Sequence, residues 1–320
     1  MPEGLKEFAT RSLTVKRIAI GIKREMNMTL TAVQARQLAG IFSRPVFRAL
    51  GANSLPSAAR LQLRNAAAAL GFSGDRLSAL FELAFREILK TYRSEYVYKN
   101  IITRKLIFGV HSPTSAALLG EFWVNASKAD SVILNGTSTV YEIKTEFDNL
   151  SRLPQQLVDY GKVFDHINVV THAGAVSGVL DVAPPHVGVL TLTSRNTLKR
   201  VRGSLSNVEN IDHWAMFNCI HKQELKNILE RQFGHVPETS PDMFRTRAFA
   251  EFKTLPKTVA SAEFVRELRN RTTGLELANF ARQLPESLKT LGLVENLSSR
   301  RREKVLSSLR DTGCDVLLRA

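Results

Sequence analysis

Two β-rich runs joined by Asn-Gly are the feature that most constrains the fold of this chain. The runs, ADSVIL and STVYEIK, meet at Asn135 and Gly136, and Asn-Gly between such runs is a strong hairpin signal. We expect a helix before the hairpin in TSAALLGEFWV, and a second helix after it in PQQLVDYGKVF, which opens at Pro154. Two more strands are predicted in HINVVTH and HVGVLTLT. This order predicts an α/β sandwich with a mixed sheet.

Helical patterns flank this α/β segment on both sides. Before it, apolar residues recur at spacings of three and four in LQLRNAAAALGF and RLSALFELAFREILKTYRSEYVYKN. After Thr193, basic helical segments such as HKQELKNILERQF and SSRRREKVLSSLR dominate. We therefore predict a helical N-terminal region over 1–110, a core over 111–194 and a basic helical C-terminal region over 195–320.

The charge balance favours partners that carry phosphate or acidic lipid head groups. The 320 residues have a formal net charge of +14 and a pI near 10.0. Two cysteines, Cys219 and Cys314, are too few for a disulfide framework or a zinc site. Residues 1–25 lack the apolar core of a signal peptide, and no window is apolar enough to span a bilayer. We expect a cytoplasmic protein that does not enter a membrane.

The hairpin register decides whether three charged side chains can form one site. Glu142 and Lys144 lie two residues apart on the second strand, so they point to the same face. A two-residue loop would pair Asp130 with Tyr141 and place it on the wrong face. A three-residue loop centred on Gly136, or an equivalent bulge, pairs Asp130 with Glu142. We predict the second register.

Converging carboxylates of this kind suit a hard divalent cation. Mg²⁺ or Mn²⁺ prefers oxygen ligands, and two or three carboxylates with waters and a phosphate oxygen complete its coordination. Lys144 beside Asp130 and Glu142 can orient an attacking water or hold the scissile phosphate. This equipment predicts metal-assisted cleavage of a phosphodiester bond.

The same residues resemble a known motif. Asp130 followed by Glu142-Ile143-Lys144 resembles the D…E-x-K signature of the PD-(D/E)XK nuclease superfamily. The resemblance implies a restriction-endonuclease-like α-β-β-β-α-β core over about residues 114–193. It also implies a further metal ligand, Glu121, on the helix before the first strand.

The helix after the lysine strand extends the resemblance. Gln156 and Tyr160 are similar to the Q-x-x-x-Y element of the RecB-like branch, which implies that both line the site and contact the DNA backbone. The string YEIKTEFDNLSRLPQQLVDYGKVFD is similar to a group of bacterial proteins classed with these nucleases. Two departures stand out: Ala129 replaces the proline of the motif, and only two strands are predicted before the Gln156 helix, where the superfamily has three.

Each candidate residue also has a structural interpretation. Glu142 and Lys144 could form a solvated cross-strand ion pair, and Asp130 could close a turn. Glu121 could be a surface helix residue. Gln156 and Tyr160 could be a solvent-facing pair that packs one ring. Arg152 could form a structural ion pair instead of a phosphate contact.

Taken together, the sequence predicts a Mg²⁺- or Mn²⁺-dependent deoxyribonuclease acting in phage defence, mobile-element function or DNA repair. The alternative is a catalytically inactive nucleic-acid-binding or regulatory protein that retains the nuclease core. DNA is the expected partner, with RNA left open. No P-loop occurs, so an ATP-driven motor would have to be a partner ATPase; a homodimer is also left open.

Overall fold

A single six-stranded mixed sheet lies at the centre of the computed structural model, which describes residues 30–311. The strands follow one another across the sheet in chain order. The β1–β2, β2–β3 and β5–β6 pairs are antiparallel, whereas β3–β4 and β4–β5 are parallel. The strands are β1 (Ala117–Val124), β2 (Ser127–Asn135), β3 (Thr137–Lys144), β4 (His166–His172), β5 (Gly188–Leu192) and β6 (Leu198–Arg202). The predicted α/β class with a mixed sheet and flanking helices is confirmed.

Helices precede the sheet, as the periodicity predicts. The last of them continues into a π-helical turn at Thr103–Ile107. These helices are α1 (Ala32–Gly40), α2 (Arg44–Leu50), α3 (Ser57–Ala69), α4 (Leu77–Thr91) and α5 (Glu95–Ile102). In α4 the apolar residues Leu77, Leu80, Phe81, Ala84 and Ile88 are buried, because residues three and four apart share one helix face.

Two helices cross between the parallel strands, and seven follow the sheet within residues 30–311. The crossovers are α6 (Leu153–Gly161) and α7 (Val176–Val182). The later helices are α8 (His213–Asn218), α9 (Lys222–Phe233), α10 (Phe244–Phe252), α11 (Lys257–Arg269), α12 (Leu275–Gln283), α13 (Lys289–Val294) and α14 (Ser299–Arg310). Helix α11 packs on β1, β2 and β3, while α5 contacts β3 and α13 contacts β1.

The helix predicted in TSAALLGEFWV is wrong. Residues Ala117–Val124 form β1, paired along their length with β2. Alanine and leucine favour a helix locally, but pairing with the apolar strand β2 satisfies the backbone and buries Ala117, Leu118 and Leu119. Three strands therefore precede α6, and the observed order from α5 to β4 is α-β-β-β-α-β.

The predicted hairpin register is confirmed. Asn135 pairs with Thr137 and Ser131 pairs with Tyr141, so only Gly136 lies between the paired residues, at φ +77°. Glycine adopts this left-handed conformation without the steric cost of a Cβ. The next position in this register sets Asp130 opposite Glu142.

Burial along the first two strands shows where the sheet opens to solvent. In β2 every residue from Ser131 to Leu134 is buried, whereas from Ser127 to Asp130 only alternate residues are. In β1 the change comes at Gly120, after which Glu121 and Trp123 are exposed. In the half of the β1–β2 hairpin next to its turn, one face is therefore open to solvent.

The sheet extends past residue 194, because β6 ends at Arg202. Helices that precede the sheet in the chain pack on a helix that follows it, since α14 contacts α2 and α4. Residues 32–311 belong to one compact unit, and the three-region division of the chain stays a prediction. Residues 1–25 and Cys314 lie outside the described residues. Within residues 30–311, no helix has the length and apolar content to cross a membrane.

Candidate functional site

The carboxylate of Glu142 is the centre of a buried polar network at the end of β3. Its Oε1 accepts hydrogen bonds from Lys144 Nζ at 2.8 Å and from Gln156 Nε2 at 2.6 Å. Its Oε2 accepts one from the Tyr160 hydroxyl at 2.7 Å. Glu142 is only 2% exposed. A carboxylate this deeply buried needs such donors, because desolvation of its charge is costly.

Lys144 and Gln156 complete a triangle with Glu142. The ammonium group of Lys144 donates to Gln156 Oε1 at 2.8 Å as well as to Glu142, and the Lys144 residue is 5% exposed. The solvated ion pair considered above is therefore wrong for Glu142 and Lys144. Tyr160 is fully buried and meets Phe164 edge-on, as the ring-packing alternative expects, but its hydroxyl also donates to Glu142.

Tyr160 is held in its protonated form by the same surroundings. Burial is the largest cause that raises its pKa far above the usual range, and the charge of Glu142 adds to this effect. A neutral phenol donates a hydrogen bond, so Tyr160 stays a donor to Glu142 at every physiological pH.

Asp130 lies beside this network on the neighbouring strand. Its Oδ2 accepts a hydrogen bond from the Ile143 backbone N–H at 2.8 Å, and its Oδ1 lies 4.0 Å from Lys99 Nζ. The pKa of Asp130 is raised well above the ordinary value, first by burial and then by the negative charges of Glu142 and Glu95. A bound cation would offset the repulsion between a buried carboxylate and the negative charges beside it.

Glu121 is not where the sequence predicted it. It lies on β1 rather than on a helix, with φ at +56°, and its side chain is 40% exposed. Its carboxylate is 4.0 Å from Arg44 Nε and 3.4 Å from Lys128 Nζ. Burial would raise its pKa, but the charges of Arg44, Lys99 and Lys128 outweigh that and lower it.

Glu95 takes the place expected for Glu121. It is the first residue of α5, the helix that immediately precedes β1, and it forms an ion pair with Lys99 one turn later. Its charge contributes to the raised pKa of Asp130. A strand assignment for residues 117–124 would have pointed to Glu95. Only the wrong helix assignment made Glu121 the nearest glutamate on a helix before the first strand.

The network opens into a cavity of about 480 Å³. Asp130, Glu142 and Lys144 lie among its walls with Trp123 and Arg152. A second cavity of about 550 Å³ also has Asp130, Glu95 and Glu121 among its lining residues. Its other walls include three basic residues, Arg44, Arg48 and Lys99. The two cavities therefore adjoin at the acidic residues.

Arg152 lies at the solvent edge of the first cavity. It immediately precedes helix α6 and is exposed. No ion pair of Arg152 occurs within residues 30–311, so the alternative of a structural ion pair has no support there. An unpaired guanidinium at a cavity edge suits contact with a phosphate.

The donor set limits how a metal could be held. In the described part of the chain, no group of three or more His, Cys, Asp or Glu side chains is arranged to hold a metal ion. Asp130 and Glu142 provide oxygen donors of the kind Mg²⁺ and Mn²⁺ prefer. The residues therefore fit a hard cation only with water and substrate oxygens completing its coordination.

A second buried carboxylate fixes the hairpin to helix α6. Asp159 accepts hydrogen bonds from Ser127 Oγ at 2.6 Å and from Asn125 Nδ2 at 3.3 Å. Gln155 Nε2 lies at 3.3 Å from the same carboxylate. These bonds tie the turn between β1 and β2 to the helix that carries Gln156 and Tyr160, so they fix the walls of the first cavity relative to each other.

Comparison with known proteins places this chain in a defined family. Residues 89–279 match the family described as Bacteriophage P4 protein cII. The chain belongs to that family. The matched segment includes all of the residues described above from Glu95 to Tyr160.

Two individual proteins resemble parts of this chain. Protein cII of Enterobacteria phage P4 is 30% identical over 127 residues, which cover 38% of this chain and 47% of that protein. The chain thus spans about half the length of this family relative. Among solved structures, the SPO1766 protein of unknown function from Silicibacter pomeroyi aligns with 50% of this chain and 85% of its own, at 14% identity and a TM-score of 0.24.

Proposed function

We propose that this family member is a metal-dependent deoxyribonuclease. The observation that carries the proposal is the buried Glu142–Lys144 pair, held by Gln156 and Tyr160 beside Asp130 at an open cavity. A buried, hydrogen-bonded lysine next to carboxylates whose charges repel is costly to maintain, so it indicates function more than stability.

Each residue has a distinct role in this proposal. Asp130 and Glu142 hold the cation, which when bound lowers the pKa of a water and neutralises charge on the phosphate. Lys144 orients the attacking water, and Gln156 keeps the Lys144 ammonium in place through its Oε1. Tyr160 fixes Glu142, and Arg152 holds the substrate backbone at the cavity edge.

Glu95, rather than Glu121, is proposed as the third acidic residue. Glu121 is ion-paired with Arg44 and Lys128. Glu95 is ion-paired with Lys99, which also lies near Asp130, and the charge of Glu95 acts on Asp130. Matched variants separate the two residues. Glu95→Gln should lower cleavage about tenfold, the effect typical of outer metal-site partners, and Glu121→Gln should lower it less. The opposite ranking would reject the reassignment.

One observation favours the alternative of a nucleic-acid-binding protein without turnover. Both oxygens of Glu142 already accept hydrogen bonds from the protein, and no three-ligand metal group occurs within residues 30–311. A protein that kept the core but lost catalysis could keep the network in this closed form. The relative protein cII comes from phage P4, which agrees with the mobile-element setting expected for this chain.

Nuclease assays test the proposal directly. Purified protein should cleave linear, nicked or single-stranded DNA with Mg²⁺ or Mn²⁺, and Lys144→Ala should abolish at least 99% of that activity, about the 10²-fold contribution of one positioned catalytic group. Lys199→Ala, an exposed lysine on β6, is the matched control and should stay active. Intact DNA under both metals, with folded protein, would reject the nuclease.

Calorimetry with Mn²⁺ separates the two candidate functions. The parent protein should bind Mn²⁺ and Asp130→Asn should lose that binding, because the substitution removes one of two anionic donors. Absence of Mn²⁺ binding by the parent, together with retained DNA binding, would support the non-catalytic alternative.

A further inference from the structure

Trp123 is exposed beside the candidate site in a way that packing does not explain. Its side chain is on the open face of the β1–β2 hairpin, and the residue is 63% exposed. It lines the cavity that contains Asp130, Glu142 and Lys144, and it also lines a neighbouring cavity of about 390 Å³. The ring therefore lies between two depressions, next to the proposed chemistry.

The backbone that carries this ring is held rigidly. Trp123 pairs with Lys128 across the hairpin, and the Sγ of Cys219 lies 3.6 Å from the Trp123 carbonyl oxygen. The preceding residue, Phe122, packs against Phe164 and Phe264. An exposed ring on a fixed strand is ready to bind without a loss of backbone entropy.

The other tryptophan of the chain provides a comparison. Trp214 is 54% exposed, but it stacks on Phe217 at a centroid distance of 6.0 Å and meets Phe249 edge-on at 4.8 Å. Trp123 has no such aromatic neighbour within residues 30–311. Its contact is a cation, Lys128 Nζ, 5.8 Å from the ring centroid. The exposed tryptophan without a ring partner is the one beside the cavity.

We infer that Trp123 is a stacking platform for an unpaired base of single-stranded DNA bound in the cavity. Proteins that bind single strands combine an exposed aromatic ring with cations that follow the backbone. Here Lys128 lies beside the ring and Arg152 lines the same cavity. Bases inside a duplex are stacked on each other, so only an unpaired nucleotide can present its face to Trp123. This inference rests on the proposed function and narrows its substrate to single-stranded or frayed DNA.

Because the chain has two tryptophans, each can be observed alone. In Trp214→Phe protein, Trp123 is the only tryptophan emitter, and in Trp123→Phe protein only Trp214 remains. Both are titrated without metal against an oligodeoxythymidylate and against a blunt duplex, while anisotropy of a labelled oligonucleotide reports binding independently. Saturable quenching of Trp123 by the single strand, absent for Trp214 and weaker with the duplex, is the expected result.

Substitution of the ring gives a second readout. Trp123→Ala should weaken single-strand binding about tenfold, the usual effect of losing one stacked base, and Trp123→Phe should weaken it less because a ring is kept. Unchanged affinity in Trp123→Ala, or binding seen by anisotropy without quenching of Trp123, would overturn the stacking role.

Failure of the nuclease and failure of the platform look different. Cleavage of DNA by Trp214→Phe protein without quenching of Trp123 would reject the platform and leave the nuclease. Quenching by the single strand without cleavage under Mg²⁺ or Mn²⁺ would support the platform and reject the nuclease. Equal quenching by single strand and duplex would reject the narrowed substrate.

Discussion

Burial and the charges around Asp130 make this residue unfavourable for the stability of the metal-free protein. Burial and the neighbouring carboxylates of Glu142 and Glu95 raise its pKa, and Lys99 offsets this only in part. A raised carboxyl pKa favours the protonated folded state, so its stabilising contribution is full at low pH and is lost as pH rises through the folded pKa. In metal-free protein, Asp130 should therefore contribute less stability at neutral pH than at a pH where its carboxyl is protonated in both the folded and the unfolded state.

We expect Asp130→Asn to raise the free energy of unfolding of metal-free protein by about 1 kcal/mol at pH 8. At pH 3 the two proteins should unfold alike, because the carboxyl is then protonated in both states. Urea unfolding across this pH range measures the difference. Asp159→Asn is the matched control, and it should destabilise by about 1 kcal/mol, since Ser127 and Asn125 lose a charged acceptor. A less stable Asp130→Asn protein at pH 8 would contradict this account.

Tyr160 should act on the site through Glu142 alone. Tyr160→Phe removes the 2.7 Å hydrogen bond to Glu142 Oε2, and we expect Mn²⁺ affinity and cleavage to fall about tenfold. Stability should fall by about 1 kcal/mol. Tyr98→Phe is the control, since Tyr98 is also buried and its hydroxyl makes no side-chain hydrogen bond within the described residues. Equal metal affinity in both variants would show that Tyr160 only packs.

At the scale of elements, one turn aligns the two strands of the site. Gly136 alone separates the paired residues Asn135 and Thr137, and a shift by one residue would turn every side chain of β3 to the other face. The left-handed φ of +77° at Gly136 makes this tight turn accessible.

Gly136→Ala should therefore destabilise the protein by about 1 kcal/mol. A Cβ would meet no atom within 4 Å at Gly136, and the same is true at Gly40, so crowding does not distinguish the two positions. Gly40 ends helix α1 without a positive φ, and Gly40→Ala should be neutral or slightly stabilising. Thermal unfolding compares them, and equal costs at the two positions would refute the argument from φ.

At the scale of the whole molecule, the net charge of +14 sets how nucleic acid should bind. Basic residues release counterions when they contact phosphates, so affinity depends on salt more than on sequence. Binding of a labelled single strand should weaken at least tenfold between 50 and 200 mM NaCl, as measured by anisotropy. An affinity that does not change with salt would mean that the surplus charge has another partner.

Much of the architecture could be predicted because local signals agreed with each other. β-rich runs predicted β2, β3 and β4, proline predicted the start of α6, and Asn-Gly predicted the turn. Strand period made Glu142 and Lys144 neighbours, and parity at Gly136 brought Asp130 opposite Glu142.

Residues 117–124 were mispredicted because helix propensity is a weak local preference that strand pairing overrides. That error also assigned Glu121 to the helix before the first strand, where the structure has Glu95 on α5. The sequence alone determined that Glu142 and Lys144 share one face, because side chains alternate along a strand. The structure decided that Asp130 lies opposite Glu142, because only Gly136 separates the paired residues Asn135 and Thr137. Only the tertiary structure decided that Glu95 faces these charged side chains and that Trp123 stays exposed beside them, because both follow from packing between segments distant in the chain.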